Sequence, residues 1–312
     1  MIAAGPDLIR LLVIPIFLYA AASDIRIRRV PKVVWIPAIL LGAIALGWEA
    51  LRLFGVGGVL WQLWLIRVVI SIGLIAPLGL VFWWIGAFGL ADAKAIVTIA
   101  LVFPTFPSFV IAGTHLPLVV SDIGVFSLTI LVNAVLVGLC YPFALAARNL
   151  AHGRVRPMMF VGIPVSWTRI ESRHGTFLEG PEGYTRHGLD LDALRIYLRW
   201  RDCSIADIRE EPAYHRTLAS LPADRNVIDD GRIATDGGVP ESDPWGARAF
   251  VEETGGPYGT RPEELRAALS LLAAREHVWV SPGIPFLVPL TIGLVVAIVY
   301  GDIVTALLAL LA

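Results

Sequence analysis

"GLADAK", Gly89 to Lys94, sets a carboxylate and an ammonium two residues apart beside two of the most apolar runs of the chain. Hydrophobic residues make up 56% of the 312 positions and charged residues 16%, and the mean hydropathy is +0.72. That is far from the balance of a soluble globular chain. Runs of about 20 apolar residues, the length that crosses a bilayer, fall at 7–23, 33–48, 63–85, 94–113, 123–147 and 284–302. An apolar tail follows the last. The expected fold is an all-α polytopic membrane protein of about six transmembrane helices, with a soluble insert between helices five and six. GLADAK then opens the fourth span, at a membrane boundary.

Three segments are expected: a membrane domain at 1–148, an insert at 149–283, and a final helix with its tail at 284–312. Arg26, Arg28, Arg29 and Lys32 follow the first span directly, and Arg148, Arg154 and Arg156 follow the fifth. The loops near 49–62 and 114–122 carry only Arg52 between them. Basic residues concentrate on the cytoplasmic side. The reading is therefore a multi-pass cell-membrane protein with its N-terminus outside and its insert cytoplasmic. A net charge of −1 gives no field for nucleic acid, and none is expected as a partner. The lipid bilayer is. Cys140 and Cys203 suggest neither a disulfide nor a metal cluster.

The insert holds all but six of the 26 acidic residues. Helices are expected over 188–201, 202–220 and 261–276, the last with Thr260 as N-cap, and a loop over 222–244. Tyr184, Trp200, Trp245 and Tyr258 are candidates for a small core. His174, His187 and Cys203 fit no common zinc spacing. Of the six acids outside, Asp7, Glu49, Asp122 and Asp302 lie where a carboxylate reaches water. Asp24 ends the first span and Asp92 begins the fourth, so both lie at the cytoplasmic boundary, where ionisable groups usually face a cavity or each other. Two carboxylates that meet there can share a proton and divide the roles of acid and base. The alternative is a pair of unrelated interfacial aspartates.

"SDIRIRRVP", Ser23 to Pro31, and "GAFGLADAK", Gly86 to Lys94, resemble the two aspartate motifs of the type IV prepilin peptidase and preflagellin (prearchaellin) peptidase family, the GxGD-type membrane aspartyl proteases. "SPGIPF", Ser281 to Phe286, resembles a sequence that opens a late helix in that family. The resemblance covers the membrane part and not the insert. It implies that Asp24 and Asp92 are catalytic. It also implies that Gly86, Gly89 and Ala91 let the second motif approach the first helix, Ala91 standing in place of the second glycine of GxGD. Arg28, Arg29, Pro31 and Lys94 would line the interface or the substrate path, snorkelling being the plain alternative for Lys94. The implied substrates are prepilin or prearchaellin-like precursors, each with a short basic leader before an apolar helix, of the type IV pilus or the archaellum. The cysteine pairs of many bacterial members are missing, so neither zinc nor any other cofactor is expected.

Two other functions use paired carboxylates. A presenilin or signal-peptide-peptidase type of intramembrane protease would have Tyr where Ser23 stands and a Pro-Ala-Leu stretch in its last span. A proton-coupled transporter would show repeat symmetry between halves, and none is visible in the sequence.

Overall fold

The computed structural model describes residues 5–185, 187–217, 227–228, 232–233, 243–283 and 285–312. The chain forms two compact units, Met1–Tyr141 with Ile284–Ala312, and Pro142–Gly283. The change of unit falls inside a helix, a little before the expected boundary at 148/149, and the C-terminal segment from Ile284 belongs with the first unit.

The first unit opens with α1 (Gly5–Leu11) and α2 (Ile14–Ile27). They are offset at Leu12 and Val13, whose N–H groups donate to Ile9 O and Arg10 O, both at 3.1 Å. The break follows from Pro15, which has no N–H to offer Leu11. α3 (Trp35–Val56) and α4 (Gly58–Ile70) come next. α4 runs through a π-helical turn, Ser71–Ile75, into α5 (Ala76–Trp84). Pro77, which cannot donate to Gly73 O, sits just past the wide turn, where a regular ladder would be broken. Then come α6 (Leu90–Val102), a hairpin of β1 (Phe109–Ile111) and β2 (Thr114–Leu116), and α7 (Phe126–Ala151).

Among the described residues four segments are long and apolar enough to cross a membrane: Gly5–Ile27, Lys32–Val56, Gly58–Trp84 and Phe126–Ala151. The expected six spans are not all matched by helices of that length. The fourth expected span, 94–113, yields only the 13 residues of α6, about 20 Å of helix. Pro104 and Pro107 stop it, and Phe103 before the first proline leaves the helical region (φ −123°, ψ 52°). The last expected span, 284–302, is likewise 13 residues long in the structure, Leu287–Val299. Gly301 at φ 103° ends that run, and Asp302 caps a further helix, Ile303–Leu311, by accepting the Thr305 N–H at 2.8 Å.

α6 lies at the centre, in contact with both α3 and α5. Missing side chains make the approach possible: a Cβ on Gly42 of α3 would lie 2.6 Å from Val102 Cγ2, and one on Gly79 of α5 2.9 Å from Ile96. Leu287–Val299 approaches α7 backbone to backbone, where a Cβ on Gly293 would meet Ala134 N at 2.6 Å and Ile130 O at 2.8 Å. Backbone cannot rotate away. Gly293→Ala is therefore expected to cost about 1–3 kcal/mol through overpacking, seen as a lower melting temperature of the purified protein. An unchanged melting temperature would show that these helices separate freely.

The second unit is not purely helical, which corrects the all-α expectation. β3 (Ile163–Ser166), β4 (Thr176–Phe177) and β5 (His277–Ser281) make an antiparallel sheet with β5 in the middle. Val165 pairs with Val278 and Phe177 with Val280. The helices Leu191–Arg201, Ile205–Glu210, Ala247–Thr254 and Pro262–Ala274 contribute to the same core through Leu194, Tyr197, Ile208, Phe250, Leu265 and Leu269. Asp190 caps the first of these by accepting from Asp192 N at 2.7 Å. The last starts from Arg261, whose N–H donates to Glu264 Oε2 at 3.1 Å, rather than from Thr260. Trp200 and Trp245 are core residues, but Tyr184 and Tyr258 are 54% and 64% exposed. The loop expected over 222–244 lies largely outside the described residues.

Candidate active site

Asp24 occupies the last turn of α2 and is half-buried. The turn closes through Arg28, in the left-handed region at φ 53°, whose N–H donates to Asp24 O at 3.1 Å. Ser23 Oγ donates to Arg29 O at 2.8 Å, folding the basic segment back against the helix end. Pro31 then starts the short 3-10 turn Lys32–Val34 that leads into α3.

Asp92 stands third in α6 and is also half-buried. Its Oδ2 accepts the Gly89 N–H at 3.1 Å, one of the donors that a helix start leaves unpaired. A Cβ on Gly89 would be 3.3 Å from that same oxygen, so a glycine there leaves the carboxylate room to turn back. Gly86 serves differently. At φ 76°, with nothing among the described residues within 4 Å of where a Cβ would stand, it is a turn residue. Ala91 lies within the helix, where alanine is the best helix former. Lys94 is half-buried one turn on, and its carbonyl accepts from Thr98 Oγ1 at 2.7 Å.

The charge of Asp24 reaches Asp92, and that of Arg28 reaches Asp24. Their helices share one core: Phe17, Ala20 and Ala21 of α2 cluster with Ala95, Ile99 and Val102 of α6. The third motif reaches the same region, for Phe286 stacks on Phe88 with ring centroids 4.5 Å apart. Ile284 lies outside the described residues. Sequence reasoning did not foresee this stack, although both phenylalanines stand inside the quoted motifs.

Two buried polar clusters went unread. Arg10, 1% exposed, donates to Asp7 Oδ1 at 2.8 Å, Glu49 Oε2 at 2.7 Å and Val102 O at 2.9 Å. Asp302, besides its capping role, accepts from Thr129 Oγ1 at 2.7 Å. Asp7, Glu49 and Asp302 are thus structural acids, which overturns their reading as solvated groups; Asp122 is exposed. In the second unit His174 meets Asp192 and Arg195 rather than His187 or Cys203. Burial pushes the Cys203 thiol up to about 11, leaving it protonated and unreactive near neutral pH.

No curated protein matches the chain. Two family models do. That of the type IV leader peptidase family matches residues 11–143, a stretch containing both aspartates. That of the archaeal Peptidase A24 C-terminus, type II, matches residues 205–303, from the helical part of the second unit through Leu287–Val299. Both descriptions concern one peptidase family, and the chain belongs to it: the prepilin and preflagellin peptidases.

Proposed function

We propose that the chain is an aspartyl endopeptidase that uses Asp24 and Asp92 to remove the short basic leader of a prepilin or prearchaellin-like precursor at the cytoplasmic membrane boundary. The observation that carries this reading is that Asp24 and Asp92, both half-buried, stand on two helices whose side chains share one core, with the charge of Asp24 reaching Asp92. Such a pair is stable when it holds one proton between its two members. The ionised member takes a proton from water while the oxygen of that water bonds to the scissile carbonyl carbon. The protonated member gives its proton to the carbonyl oxygen, so the pair still holds one proton. Collapse of the tetrahedral species breaks the C–N bond: the protonated member gives its proton to the leaving amine while the ionised member takes one from a hydroxyl of the gem-diol as the carbonyl re-forms, so the pair again holds one proton.

The test is to incubate the purified protein with a precursor peptide bearing a basic leader and an apolar helix, and to weigh the products. Two fragments whose masses add up to precursor plus water are expected, with one new N-terminus. A precursor that stays intact would refute the assignment.

The arginine asymmetry supports an orientation with the N-terminus outside and 149–283 in the cytoplasm. Glu182 is exposed in the second unit. Glu182→Cys, in a background with Cys140 and Cys203 replaced by serine, should resist a membrane-impermeant thiol reagent in intact cells and react after lysis. Labelling before lysis would invert the topology.

A further inference from the structure

α7 ends at Ala151, and the chain beyond it is fastened to the helix end. Asn149, buried in the last turn, donates from Nδ2 to Met159 O at 2.9 Å and to Gly162 O at 2.8 Å. The Arg154 N–H donates to Asn149 O at 2.9 Å. Arg154 is three residues past a helix long and apolar enough to cross a membrane, hence within about 10 Å of its last residue. Here a cleft of about 600 Å³ opens, lined by Arg154, Arg156, Arg275 and His277 together with Glu179 and Trp279.

Its charges are arranged. Glu179 is buried, with its Oε2 accepting the Trp279 N–H at 3.1 Å. Its Oε1 accepts from Arg275 Nη1 at 3.1 Å and has Arg156 Nη1 at 3.8 Å. One fixed carboxylate thus steadies two guanidiniums whose side chains remain 46% and 61% exposed. Glu276, also on the rim, is taken up by Arg209. Arg154 has no carboxylate partner among the described residues. Positive charge is left over; Val155, on the same lining, is exposed, and Phe160 and Val161, a few residues on in the segment fastened to the helix end, are exposed as well.

From this we infer that the cleft is a binding site for the anionic phosphodiester headgroup of a bilayer lipid. The excess guanidinium charge matches a phosphodiester anion. The exposed valines and phenylalanine match the acyl region beneath it, and a free phosphate would leave them in water. Basic residues next to a membrane helix hold anionic lipid in this way.

Native mass spectrometry of the full chain, extracted in detergent with equal amounts of phosphatidylglycerol and phosphatidylcholine, tests the site. The wild type should retain phosphatidylglycerol in preference. Arg154→Gln, which breaks no ion pair, should lower that preference roughly fivefold, and Arg154→Gln with Arg156→Gln by roughly the same factor again. Arg52→Gln, a charge removed from an exposed site elsewhere, should leave it unchanged. Far-ultraviolet circular dichroism confirms that each variant is folded, and the single variant carries the test if the double one is not. Equal retention of both lipids by the wild type, or an undiminished preference in folded Arg154→Gln, overturns the inference. So does displacement of the lipid by inorganic phosphate at matched concentration, which would identify a soluble anion as the ligand.

Discussion

Asp24→Asn and Asp92→Asn should each abolish cleavage of a prepilin-type precursor, lowering the rate by at least about 10²–10⁴, the range one positioned acid or base supplies. An amide is close to a carboxylic acid in shape but neither takes nor gives the proton. The loss should therefore appear in turnover while the folded yield stays close to wild type. Under the proposed mechanism the two carboxylates act as a unit, so the double variant should be little worse than either single one. The matched control is Asp122→Asn, at an exposed site, where cleavage should persist within a few-fold of wild type. Asp302→Asn looks like an equal control in the sequence but is not one. It disturbs the cap of Ile303–Leu311 and the Thr129 contact, and should cost about 1 kcal/mol of stability. Near-normal cleavage by folded Asp24→Asn or Asp92→Asn would sink the aspartyl mechanism and leave the family membership untouched.

The contrast between Asp122 and Asp302 shows how far the sequence can be read. Helices such as Phe126–Ala151 are legible because hydropathy is a sum over neighbours, and the two aspartate motifs are legible because each is contiguous. The helix at 94–113 falls short of the expected span because hydropathy averages over Pro104 and Pro107, whose effect is on backbone geometry. The sheet of the second unit escapes notice because β5 pairs with strands about a hundred residues upstream, and strand preference depends on neighbours it does not contain. The close-approach glycines were sought in the motif, at Gly86 and Gly89. Close approaches between helices instead fall at Gly42, Gly79 and Gly293, whose partners lie on other helices. Asp7 did carry a signal. It stands three residues before Arg10, one helical turn, on a segment otherwise nearly all apolar, and an opposite charge at that spacing marks a pair.

That pair leads to the largest expected effect on stability. Arg10→Met should destabilise the fold by about 3–5 kcal/mol, the usual cost of removing one partner from a buried ion pair. Methionine matches much of the volume, but it leaves the carboxylates of Asp7 and Glu49, 12% and 19% exposed, with no cation between them. It also strips Val102 O, at the C-terminal end of α6, of the Nε donor that satisfies it. Asp92 lies at the other end of α6, about 15 Å away along the axis, so the cluster anchors the helix and stays out of the chemistry. Two consequences separate anchoring from catalysis. Activity per folded molecule should stay near wild type even as the melting temperature and yield fall. Adding Asp7→Asn and Glu49→Gln to Arg10→Met should recover much of the lost stability, since the uncompensated charges go with them. If Arg10→Met melts within about 1 kcal/mol of wild type, the cluster is no anchor, and α6 is held by the apolar contacts of Ala95, Ile99 and Val102 alone.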